Sequence, residues 1–97
     1  MKNEIVKVEV MFRKYKDGDI MAVFPYEIAD LEGNCTCYAH VGQHSACCWE
    51  HVMETKPTKD YANLKRELEG IGYELKIIQR RNYDRYLTEL YKVRRMR

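Results

Sequence analysis

The chain reads as an α+β protein, a two-layer sandwich in which a four-stranded, mainly antiparallel sheet carries its helices on one face in the order β-β-β-(α)-α-β-α. Three observations predict this. Four stretches alternate apolar and polar residues with period two or form short apolar runs, two later stretches repeat apolar residues at helical spacing, and Gly, Asn or Pro stands between them. At 97 residues there is material for one hydrophobic core and no more. A composition of 45% hydrophobic and 33% charged residues is that of a folded domain and excludes general disorder. The division expected within it is an α+β body over residues 1–81, extended by an amphipathic basic helix over 82–97.

The first strand is "IVKVEVMFRK", where Val6, Val8, Val10 and Phe12 point one way and Lys7, Glu9, Met11 and Arg13 the other. Asp17-Gly18 supplies a hairpin turn, and Ile20 to Phe24 reads as the returning strand, ended by Pro25, which has no N–H for a ladder. After Gly33-Asn34, "CTCYAHV" alternates again, with Cys35, Cys37, Ala39 and Val41 on one side and Thr36, Tyr38 and His40 on the other. Gly42 breaks this third strand. Ser45 is placed to cap a short helix from Ala46 to about Met53, although the residue types there suit a strand nearly as well.

Thr58 as cap, then Tyr61, Leu64, Leu68 and Ile71, predict a helix of about thirteen residues that Gly72 terminates. Tyr73, Leu75 and Ile77 mark a fourth strand, which returns after a long crossover and is expected parallel to its neighbour. In "NYDRYLTELYKVRRMR", Asn82 is a cap, Asp84 and the terminal arginines match the helix dipole, and Tyr83, Tyr86, Leu87, Leu90, Tyr91 and Val93 form a stripe.

Residues 6 to about 81 resemble a group of small bacterial proteins often found in phage-like and other mobile elements. The resemblance rests on "VMFRKYKDGDIMAVFP", "CYAHVGQHSA" and "TKPTKDYANLKRELEGIGYELKI", which match in order and spacing. It implies no activity, because the group has none assigned. The helix after Arg81 and the cysteines of "ACCWEH" depart from the group's pattern.

The N-terminal "MKNEIVKVEV" contains no apolar run of the length a signal peptide or membrane span needs, so the expected location is the cytoplasm, with no membrane partner and with reduced thiols. All four cysteines and all three histidines fall in "CTCYAHVGQHSACCWEH". The best zinc set that can be built there is His40, His44, Cys47, Cys48 and His51, but the two separated ligand pairs of familiar zinc modules are missing. Buried thiols packed as small apolar residues are the favoured reading, with no cofactor expected and zinc the alternative. A thiolate pair of His44 with Cys47 or Cys48 lacks a third, orienting group, so the chain is expected not to be an enzyme.

Charge is uneven: residues 1–53 hold five Lys/Arg against eight Asp/Glu, and residues 54–97 twelve against seven. The C-terminal excess, interleaved with tyrosines, makes nucleic acid a candidate partner through Arg80, Arg81, Arg85, Lys92, Arg94, Arg95 and Arg97. An incompletely covered stripe on the last helix would instead favour a protein partner or homodimer through Tyr86, Leu90 and Val93. The expected function is therefore that of a small interaction module, with nucleic-acid binding and zinc binding as its rivals.

Overall fold

The computed structural model describes residues 6–39 and 43–96. The chain is α+β: strands β1 (Val6–Lys14), β2 (Ile20–Ile28), β3 (Cys35–Ala39), β4 (Gln43–Cys47), β5 (Lys56–Pro57) and β6 (Tyr73–Ile77) alternate with helices α1 (Trp49–Glu54), α2 (Ala62–Ile71) and α3 (Tyr83–Arg95). The strands order as β4-β3-β2-β1-β5, and β6 lies along the other half of β1. All pairings are antiparallel except β1–β6, where Val6 to Val10 run parallel to Tyr73 to Ile77. The parallel return follows from connectivity, since α2 carries the chain back across the sheet before β6.

Among the described residues six strand segments replace the four expected, and the helices lie on both faces instead of one. On one face Val10, Phe12, Ala22, Phe24 and Tyr38 pack with Leu64 and Leu68 of α2. On the other, Met11, Met21, Val23, Cys35, Cys37 and Cys47 pack with Val52 of α1 and with Tyr86 and Leu90 of α3. The physical reason lies in the middle strands. "IMAVF" is apolar on both sides of the pleat, so β2 stays stable only where both of its faces are covered. Strand β1 changes along its length: Lys7 and Glu9 stay polar on the α3 side near β6, whereas Met11 and Arg13 on that side are buried beside β2.

The turn at Asp17-Gly18 forms as expected, with Gly18 at φ 95°, its N–H on Tyr15 O at 3.0 Å, and Tyr15 N–H on Asp19 O at 2.8 Å. Pro25 does not end β2. It sits fully buried at a register shift between Phe24 and Ile28, where the ladder to β3 is interrupted and no proline N–H is needed. Residues 43–54 split what was expected as one helix over 46–53: Ser45 lies in β4, and a six-residue helix starts after Cys48. His40, Val41 and Gly42 lie outside the described residues.

Helix α2 is shorter than expected. Thr58 Oγ1 accepts from Asp60 N (3.0 Å) in a turn ahead of the helix, and Tyr61, stacked on Phe12 with ring centroids 4.5 Å apart, stands at the N-cap. Gly72, at φ 122°, terminates it as expected, while Ile71 is left exposed. Asn82 caps α3, its side chain accepting from Arg85 N at 3.0 Å.

Candidate functional site

The sheet decides what the cysteine and histidine segment can do. Cys35 is the cross-strand partner of Cys47, Cys37 that of Ser45, and Tyr38 that of His44. Period two therefore gathers Cys35, Cys37 and Cys47 on the α1/α3 face and sends His44 to the α2 face, where its Nε2 meets Tyr73 Oη at 3.0 Å and its ring lies 4.9 Å from Tyr38. Of the remaining zinc candidates, Cys48 is exposed, and His51 on α1 pairs with Glu54 at 3.5 Å beside the Tyr15 ring. His40 lies outside the described residues. Among the described residues no three His, Cys, Asp or Glu side chains converge as metal ligands. His44 and Cys47 lie on opposite faces of the sheet, and Cys48 and His51 lie beyond it, at the start of α1 and within that helix.

The three gathered thiols differ in environment. Cys35 Sγ donates to Pro25 O at 3.5 Å, with Arg81 Nη1 3.9 Å away, and burial raises its pKa despite that cation. Cys47 Sγ donates to Cys35 O at 3.4 Å. Cys37 Sγ lies 3.3 Å from Ser45 Oγ. The neighbouring Cys47 thiol, ahead of the Ser45 hydroxyl, holds the Cys37 pKa down to about 6, while Cys37 and burial raise that of Cys47.

The basic residues of the C-terminal segment are largely engaged within the chain. The Arg81 guanidinium lies between Trp49 and Tyr86, 3.8 Å from each ring centroid. Arg85 covers Tyr26 at 4.0 Å and pairs with Glu9, Lys92 pairs with Glu89 at 3.3 Å, and Arg94 Nε donates to Leu31 O at 3.0 Å. Arg80 and Arg95 are exposed, and Arg97 lies outside the described residues. Of the three residues expected to contact a protein partner, Tyr86 and Leu90 are buried in the chain's own core, the Tyr86 hydroxyl donating to Gly33 O at 2.6 Å; Val93 is half-buried. That corrects the expected contact surface: the sheet covers more of the stripe than the four strands expected would, and Tyr86 and Leu90 are spent on the chain's own core. Tyr83, Tyr91 and Met96 are the exposed apolar residues of this segment.

Two features escaped sequence reasoning. Lys14, Lys16, Lys56 and Lys59 meet beside Tyr15 along a groove of about 620 Å³, brought together by pairing of β5 with the end of β1. Lys14 is paired there with Asp60 at 2.8 Å. Residues some forty positions apart leave no local signal of such a meeting. The second is the free edge of β4, which pairs only with β3 among the described residues. No family model, curated protein or solved structure matches this chain.

Proposed function

We propose that the chain is a small protein-interaction module without catalytic activity, and that its partner is a second copy joined through the open edge of β4. The observation that carries this reading is the unequal protection of the two sides of the sheet. On one side β5 is only Lys56–Pro57, and β6 carries Glu74 and Lys76, with Lys7 paired to Glu74 at 3.9 Å; short, charged or proline-bearing edges resist pairing with another chain. Strand β4, "QHSAC", has neither a formally charged residue nor a proline, and His44, Ser45 and Ala46 are exposed. Antiparallel pairing about Ser45 sets Gln43 opposite Cys47 and His44 opposite Ala46, with no like charges facing and the two-fold symmetry that a homodimer needs. Main-chain hydrogen bonds supply the affinity in such strand addition.

Sedimentation across the micromolar range tests it. The wild-type mass is expected to rise with concentration, and Ala46→Lys, at an exposed edge position, to hold the chain monomeric. A wild-type chain that stays monomeric throughout, or an Ala46→Lys variant that associates equally well, removes the reading. The four unbridged cysteines suit a reducing compartment, which supports a cytoplasmic location, and no helix of the described residues is long and apolar enough to cross a membrane.

Nucleic-acid binding is kept as a second reading because of the lysine groove, with Lys14, Lys16, Lys56 and Lys59 replacing the largely engaged C-terminal arginines as phosphate contacts. It requires binding to a single-stranded oligonucleotide that weakens with salt and is lost when Lys16, Lys56 and Lys59 are changed to Ala.

A further inference from the structure

The end of β1 meets β5 in an arrangement that weakens its own ladder. Antiparallel pairing sets Lys14 directly opposite Lys56, so two ammonium-bearing side chains leave the same face of the sheet as neighbours. Like charges so placed destabilise a strand pair, and β5, only two residues long, has little else to offset them. Lys16, in the turn after β1, and Lys59, after β5, add two more cations to the groove of about 620 Å³ that these segments border. The carboxylates that line it are engaged elsewhere. Asp60 accepts from Lys14 Nζ at 2.8 Å, and Glu54 lies 3.5 Å from His51 Nδ1 on α1. Among the described residues Lys16, Lys56 and Lys59 pair with no carboxylate, and all three are exposed.

We infer that this groove, on which the nucleic-acid reading also rests, binds a small ligand carrying two or more linked phosphoryl groups: an inorganic polyphosphate or the phosphate tail of a nucleotide. Ammonium groups without partners around one cavity neutralise adjacent phosphoryl oxygens through charge-assisted hydrogen bonds, and the bound anion offsets the repulsion between Lys14 and Lys56 that the free chain retains. Lysine suits a chain of phosphates, because its mobile point charge follows a bent, non-planar anion. The groove has the volume of a small-molecule site. A nucleic-acid strand needs a series of exposed rings on which successive bases stack. Among the described residues Tyr15 is the only aromatic side chain lining this groove, and it is half-buried, its hydroxyl donating to Met21 Sδ at 3.0 Å.

Isothermal titration calorimetry of the full chain with tripolyphosphate, ATP, adenosine and a single-stranded oligonucleotide, in magnesium-free buffer, tests this. Tripolyphosphate and ATP are expected to saturate a single site per chain and to bind more weakly as salt rises, whereas adenosine does not bind. Equal affinity for the two assigns recognition to the phosphates alone, and tighter binding of ATP assigns the ligand to the nucleotides. Lys16→Ala combined with Lys56→Ala, at two exposed positions, should lose about tenfold or more in affinity for both ligands. Lys76→Ala combined with Lys92→Ala removes the same charge outside the groove and should stay within about twofold of wild type. A chain that saturates with neither polyphosphate, adenosine that binds as tightly as ATP, or equal losses in the two double variants overturns the inference. An oligonucleotide that binds where both polyphosphates fail also overturns it and leaves the nucleic-acid reading standing; polyphosphate binding without oligonucleotide binding upholds it and removes that reading. The wild-type titrations alone can overturn it, so a variant that fails to fold does not remove the test.

Discussion

Arg13 shows how a single residue can be buried with its charge and still be tolerated. It is 5% exposed, and among the described residues it has no carboxylate partner; Nε donates to Thr55 Oγ1 at 3.0 Å and the guanidinium also reaches Thr55 O. Desolvation lowers its pKa for that reason. Thr55→Val keeps the volume and removes the acceptor, so a loss of about 1–3 kcal/mol in urea unfolding is expected, with Thr55→Ser close to wild type. Asp30 is the opposite case, a half-buried carboxylate that organises its own loop. It accepts from Asn34 Nδ2 at 2.8 Å, Asn34 N at 3.1 Å and Glu32 N at 3.1 Å, and these bonds hold its pKa below the ordinary 3.8. A depressed folded pKa contributes stability above the unfolded value and loses it as pH falls through the folded one. An NMR titration should therefore find the Asp30 midpoint below 3.8, moving back toward it in Asn34→Ala; a midpoint at or above 3.8 in the wild type would contradict the capping role.

At the scale of elements, α3 depends on a glycine some fifty residues away. Gly33 has φ +93°, and a Cβ built there would collide with Tyr86 Oη and come within 3.4 Å of Leu90 Cδ2. Gly33→Ala combines backbone strain with displacement of the helix, and a loss of about 1–3 kcal/mol or more is expected in denaturant unfolding. Tyr86→Phe removes the colliding oxygen along with its bond to Gly33 O. The double variant should then be less destabilised than the two single losses summed, a non-additivity that a double-mutant cycle reads directly. Strict additivity would mean that the helix does not rest on this glycine. Helix α3 itself was legible from the Asn82 cap and the apolar stripe, but which stripe residues are buried was not. Tyr86 and Leu90 enter the core, whereas Tyr83 and Tyr91 stay exposed, because the line of contact is set by the sheet beneath and not by the helix period.

For the whole molecule, the consequence of a sheet covered on both faces is that its open surface is its edge. With α2 on one side and α1 and α3 on the other, β4 is where unpaired main-chain groups of an uncharged strand meet solvent. Self-association through that edge should slow amide exchange over residues 43–47 as protein concentration rises, since local opening of an edge strand is then restrained. Exchange at those amides that does not change with concentration would count against the edge as the contact.

Sequence alone determined the elements whose signals are local: the alternation of β1 and β3, the Asp17-Gly18 turn, the Gly72 stop and the Asn82 cap. Each depends on residues a few positions apart, so the physics acts within the stretch that displays it. Tertiary structure decided the rest: the second covered face, the passage of β2 through Pro25, the division of residues 43–54 into strand and helix, and the separation of His44 from the thiols. Period two states that neighbouring residues face opposite ways, but only the packing of distant elements determines which of those faces is dry, and therefore which groups meet.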